Sequence, residues 1–125
     1  MDHPSLALMA WDHNRDFIAA WSKVLLSDPA TSKYLAGTAF HWYSSDQPAL
    51  NLYYNLDAAH AIDPTKFLLA SESSNCPGVR LGDWSRGETY AMDIINDLNH
   101  WASGWVDWNL VMDTDLLIIH LFSGM

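Results

Sequence analysis

The chain has 125 residues, half of them hydrophobic, which predicts one domain with a packed core rather than a disordered segment. Fifteen acidic residues against six Lys and Arg give a formal charge of −9, so phosphate backbones and anionic surfaces are repelled and no nucleic acid partner is expected. A single cysteine, Cys76, excludes an internal disulfide, and six histidines without i,i+4 spacing give no sign of a metal site or other cofactor.

The start, Met1-Asp2-His3-Pro4, lacks the basic and apolar regions of a signal peptide, and no apolar run reaches transmembrane length. Leu6 to Trp11 then reads as a short buried strand, a compact apolar run that ends in Trp11-Asp12-His13-Asn14. Phe17, Ile18, Trp21, Leu25 and Leu26 form an apolar helical stripe, and Ser27-Asp28-Pro29 starts a second short helix with proline in its first turn. Gly37 to Tyr43 is the second strand, with His41-Trp42-Tyr43 at its end. The connection from Asn51 to Pro64 supports only a short helix around Asp57 to Ile62. Lys66 to Glu72 is the third strand, closing on Ser71-Glu72-Ser73. Ser85-Arg86-Gly87-Glu88 has the form of a capping box, and the helix it opens aligns Tyr90, Ala91, Ile94, Ile95, Leu98, Trp101 and Ala102 on one face, stopping at Gly104. Gly104 to Leu110 is the fourth strand and contains Asp107-Trp108-Asn109.

Strand starts recur about every 30 residues, the length of a strand, helix, strand unit, and this alternation predicts a parallel sheet with outer helices. Polar and aromatic residues gathered at successive C-terminal strand ends are what a (β/α)8 barrel needs, since its active site is built from the loops at that face. An open doubly wound sheet would usually add a glycine-rich phosphate turn, and the chain has none. By strand alternation Asp12 shares a face with Ala10 and Leu8, Tyr43 and His41 with Ala39, and Glu72 with Ala70 and Leu68.

Glu72 is the leading candidate for chemistry, because a carboxylate follows directly on the buried run Phe67-Leu68-Leu69-Ala70-Ser71; the competing reading is a solvated glutamate past a strand. Glu88, the other glutamate, has a sufficient role in the capping box. His41 and Tyr43 could hydrogen-bond a carboxylate at the mouth, although such rings also pack in ordinary cores. Trp11, Trp42, Trp105 and Trp108 cluster around strand ends, where aromatic faces suit the C–H faces of sugars, while indoles in general are more often core. Alternation turns Asp12 inward and Asp107 outward, with a structural role for Asp107; a bulge would reverse either assignment. Asp12-His13 lacks a Gly-x-Ser-x-Gly elbow and so forms no serine triad.

The order Ala10-Trp11-Asp12-His13-Asn14-Arg15, His41-Trp42-Tyr43, Leu69-Ala70-Ser71-Glu72, Arg80-Leu81-Gly82-Asp83-Trp84-Ser85-Arg86-Gly87 and Gly104-Trp105-Val106-Asp107-Trp108-Asn109 resembles glycoside hydrolase family 30, the glucosylceramidase family. The resemblance runs from Leu6 to Asp115. It implies an α/β fold, a partial TIM barrel holding strands five to eight, over residues 1–115. It also implies a retaining β-glycosidase that hydrolyses the β-glucosidic bond of glucosylceramide-like glycolipids in sphingolipid catabolism. Glu72 matches the family nucleophile, His41, Trp42 and Tyr43 match residues beside the catalytic carboxylates, Trp108 matches the tryptophan that contacts glucose, and Asp12 and Arg15 match residues expected to support the site. The substrate would be a glucosyl lipid or other β-glucoside, with a membrane surface as one source, and the parent family is lysosomal or secreted.

Two departures from the family shape the remaining expectations. The family's acid/base glutamate follows an asparagine on the fourth strand, and no Asn-Glu pair occurs here. The partner carboxyl group is therefore expected from a missing N-terminal half of the barrel, and the chain alone is expected to be inactive. The ending, residues 116–125, is apolar and unlike the family, as in a truncated or misread gene model. Rival readings are a non-catalytic carbohydrate-binding or interaction fragment, which would need Trp42 and Trp108 but not Glu72, and other family activities such as endo-xylanase or β-1,6-glucanase.

Overall fold

The computed structural model describes residues 5–43 and 52–109, so Leu110 of the expected fourth strand and the whole 116–125 tail lie outside the described residues. Four strands form one parallel sheet in the order β1-β2-β3-β4, with β1 Met9–Asn14, β2 Gly37–His41, β3 Phe67–Glu72 and β4 Ala102–Trp105. The connections carry helices α1 Ile18–Leu26, α2 Pro29–Ser32, α3 Tyr54–His60 and α4 Trp84–Asn99. Sequential parallel strands joined by helices are the repeating unit that the spacing predicts, and the two outer strands, β1 and β4, each pair on one side.

Boundaries differ from expectation at both sheet edges. β1 begins at Met9 and not at Leu6, and Leu6 and Leu8 ahead of it are exposed. β4 begins at Ala102, before Gly104, because α4 already ends at Asn99 and Trp101 turns the chain at φ 74°.

The core lies between sheet and helices. Ile18 of α1, Leu56 and Ala59 of α3, Phe40 of β2, Leu68 and Ala70 of β3 and Ala102 of β4 form one buried cluster. In α1 the buried positions are Ile18, Ser22 and Leu26, four residues apart as one helical face requires. Asp28 caps α2 by accepting from the Ala30 N–H at 3.0 Å, with Pro29 in the first turn where its missing N–H costs nothing. Gly37 is required where β2 meets β3, since a Cβ there would stand 2.5 Å from the Phe67 carbonyl oxygen.

α4 departs most from the expected pattern. Its buried residues are Asp93 and Asp97, whereas Ile95 and Leu98 of the expected apolar face are more than half exposed. The reason is Arg15, just past β1. Its guanidinium lies 4.5 Å from the Tyr53 ring centroid, donates to Asp97 Oδ1 at 2.7 Å and pairs with Asp93. Asp93 also accepts from the Tyr53 hydroxyl at 3.0 Å and from Trp105 Nε1 at 3.1 Å. One cation thus ties the end of β1 to α3, α4 and β4, and a buried charge so paired dictates which helical face turns inward. Burial pushes the Asp97 carboxyl up to about 8, with Arg15 opposing and the neighbouring Asp93 adding to the rise. The capping box does not form either: Asp83 precedes the helix, and Ser85, already inside it, donates to Asp83 Oδ1 at 2.5 Å.

Candidate active site

Because all four strands run the same way, the residues at their C-terminal ends meet at one rim. On β2, Phe40 faces the helices, so its neighbour His41 faces the opposite side, which would be the interior of a closed barrel. On β3, Leu68 and Ala70 lie in the helix-side core, and strict alternation would send Glu72 there with them. A register step prevents this. Phe40 pairs with Ala70, but the next pair is His41 with Glu72, leaving Ser71 as the extra residue. The bulge brings Glu72 Oε2 to 3.9 Å from His41 Nε2. The expected face-sharing of Glu72 with Ala70 and Leu68 is thereby corrected, while its place at the rim stands.

A second bulge acts on β1. The register jumps between Trp11 and His13, and Asp12 sits in the step at φ 50°, a left-handed conformation that a short polar residue tolerates better than most. So aimed, Asp12 Oδ1 lies 3.1 Å from His41 Nε2 and accepts from the Ser71 hydroxyl at 2.7 Å. The Ser71 hydrogen bond, opposed by desolvation and reinforced by His41, holds the Asp12 carboxyl below its ordinary range. The ionised form of Asp12 is therefore favoured. Tyr43 hydrogen-bonds Glu72, and burial first, then the Glu72 charge and that bond, raise its hydroxyl above the ordinary tyrosine range. The phenol stays protonated and donates to the carboxylate.

The structure thus brings together Asp12, His41, Tyr43 and Glu72 from the ends of three strands, with Ser71 among them. Ser71 escaped sequence reasoning; had Leu68 and Ala70 been assigned to the helix side, alternation would have put Ser71 on the interior face. Trp42 turns aside. Its Nε1 donates to the Ser74 carbonyl at 3.1 Å and its ring lies 4.8 Å from that of Tyr90, so it props the rim from α4. Trp108 is held through its backbone N–H, which donates to the Ser73 carbonyl at 2.8 Å, one residue beyond Glu72, and its side chain is exposed. Asp107 accepts from the Tyr90 hydroxyl at 3.0 Å, in keeping with a structural role. Arg15, expected near the site, instead holds the helix-side ion cluster.

A parallel, helix-covered sheet with a carboxylate, a histidine and a tyrosine converging at the C-terminal rim defines part of a TIM-barrel enzyme domain. Residues 2–116 match the Glycosyl hydrolase family 30 TIM-barrel domain, and the chain belongs to that family. It is 40% identical over 118 residues to a Caenorhabditis elegans protein named "Putative glucosylceramidase 3", covering 87% of this chain and 21% of that one. To the lysosomal acid glucosylceramidase of Mus musculus it is 36% identical over 115 residues, covering 86% and 22%. Among solved structures, SrfJ of Salmonella typhimurium superposes with a TM-score of 0.73 at 31% identity, covering 84% of this chain and 23% of that chain. An endo-β1,6-glucanase superposes with a TM-score of 0.70 at 29% identity, covering 89% and 25%. The chain therefore spans about a fifth of the length of the curated relatives it matches.

Proposed function

We propose that this chain carries the nucleophile half of a retaining β-glycosidase site that acts on glucosyl lipids, with Glu72 as the nucleophile. The observation that carries the reading is the Glu72 carboxylate at the C-terminal rim, hydrogen-bonded by Tyr43 and 3.9 Å from His41. Double displacement needs a carboxylate to attack the anomeric carbon and a carboxylic acid about 5–5.5 Å away to protonate the leaving oxygen. Among the described residues, Asp12 is the second carboxylate beside His41, and its lowered pKa favours its ionised form, which unsuits it to donate that proton. The acid is expected from a strand outside the described residues, since the family's Asn-Glu pair does not occur in the chain, and the chain alone is expected to turn over no β-glucoside. Trp108, His41 and Tyr43 serve as binding and orienting residues around Glu72, and Trp42 supports the rim through Ser74 and Tyr90. A glucosyl lipid is favoured over a β1,6-glucan because the curated relatives named glucosylceramidase share more identity with the chain than does the glucanase structure.

The test is to join this chain to the remaining strands of a family relative and measure turnover of glucosylceramide, of an aryl β-glucoside and of β1,6-glucan. Glu72→Gln should lower kcat on the preferred substrate by more than about 10³-fold, as removal of a nucleophile does elsewhere. Full turnover by Glu72→Gln would refute the assignment, and preference for the glucan would move the substrate class.

A further inference from the structure

We propose that Ser71 is a positioning residue of the Glu72 site: its hydroxyl holds Asp12 on the His41 Nε2–H, so that this N–H is engaged by Asp12 and not by Glu72. The inference rests on the glycosidase reading, but its geometry stands apart from it. Two donors converge on one oxygen, since Asp12 Oδ1 accepts from Ser71 at 2.7 Å and lies 3.1 Å from His41 Nε2. The tautomer that satisfies this arrangement carries its proton on Nε2. The same nitrogen is 3.9 Å from Glu72 Oε2, beyond hydrogen-bond length, so the imidazole stands between two carboxylates and is bonded to one.

The Asp12 side chain is 62% exposed, so water competes for it, and its backbone sits in a bulge that does not lock the carboxylate in place. Ser71 is the tether that comes from β3. Its Oγ also lies 3.2 Å from the Phe40 carbonyl, which fixes the hydroxyl between β1 and β2. The bulge on β3 that turns Glu72 to the rim is the one that makes Ser71 the unpaired residue, so nucleophile and tether are set by a single backbone feature. Without the tether Asp12 leaves for solvent, and His41 is free to swing its N–H toward Glu72. A second hydrogen bond on the Glu72 carboxylate, added to that from Tyr43, stabilises the ground-state anion and weakens it as a nucleophile.

The experiment uses Ser71→Ala and Ser71→Thr in the completed barrel, with two independent readouts. Steady-state kinetics should show kcat reduced on the order of tenfold in Ser71→Ala at nearly unchanged KM, the worth of one hydrogen bond to a charged group, and Ser71→Thr should restore it. Carbon-13 NMR of the Asp12 carboxyl should show its titration midpoint rising in Ser71→Ala and returning in Ser71→Thr; this reports the tether whether or not Glu72 proves to be the nucleophile. Adding Ser71→Ala to Asp12→Asn should cost nothing further, because the serine acts through the aspartate. Unchanged kcat in Ser71→Ala, or full additivity with Asp12→Asn, overturns the proposal even if the Asp12 midpoint moves.

Discussion

Among the described residues, two groups set a pair of acidic side chains around one basic residue, and they lie on opposite faces of one sheet. On the helix side, Arg15 binds Asp93 and Asp97 with side chains 6% exposed or less. On the open side, His41 stands between Asp12 and Glu72, whose side chains are 62% and 28% exposed. The first group uses a permanent cation, has its Asp93 carboxylate bonded further by Tyr53 and Trp105, and ties four elements together. The second uses an imidazole, on strand ends displaced by bulges, with its carboxylates partly open to solvent. Like ingredients thus produce a structural anchor where water is excluded and a candidate reaction site where it is admitted.

That contrast predicts opposite responses to substitution. Arg15→Met should destabilise the completed barrel by about 3–5 kcal/mol, because it leaves the buried Asp93 and Asp97 side chains without the cation they are bonded to. Urea denaturation followed by tryptophan fluorescence would measure it, and a loss below about 1 kcal/mol would remove the distinction between the two groups. Tyr43→Phe should do the reverse: stability within about 1 kcal/mol of the parent, but kcat lower by on the order of tenfold, as the donor to Glu72 is lost. Equal effects on stability and turnover would mean that Tyr43 is a packing residue.

A smaller effect concerns pH. Asp97 has a folded-state pKa raised from 3.8 to about 8, so the folded protein holds a proton that the unfolded chain releases earlier. Its contribution to stability is fully present below about pH 4 and is lost as the pH rises through 8. Denaturation midpoints measured from pH 4 to 8 should therefore fall with pH more steeply in the parent than in Asp97→Asn, which cannot ionise. Parallel curves would show that Asp97 binds no extra proton in the folded state.

Much of the sheet and of the rim is legible in the amino-acid sequence, and the exceptions share a cause. Apolar runs bounded by turn residues locate all four strands, and the C-terminal rim draws attention to Asp12, His41, Tyr43 and Glu72, because parallel order alone gathers strand ends. Period-2 reasoning fails at Glu72, since a bulge is a tertiary choice that adds one residue without a composition signal, and Ser71 is hidden by the same shift. Helical periodicity fails in α4 because it assumes that apolar residues turn inward. The pairing of Arg15 with Asp93 and Asp97, residues 78 and 82 positions away, reverses that rule and cannot be seen from a local window. The S-x-x-E pattern at Ser85 fails because Asp83 starts the helix ahead of it, so the serine falls inside.

As the nucleophile, Glu72 would become covalently bonded to the sugar. A mechanism-based 2-fluoroglucoside, whose glycosyl-enzyme intermediate hydrolyses slowly, should be incubated with the completed barrel, followed by proteolysis and mass mapping of the peptides. One fluoroglucosyl group is expected on the peptide containing Glu72, and none there in Glu72→Gln. In a demonstrably active barrel, label on Asp12, on Asp107 or on no residue of this chain would contradict it.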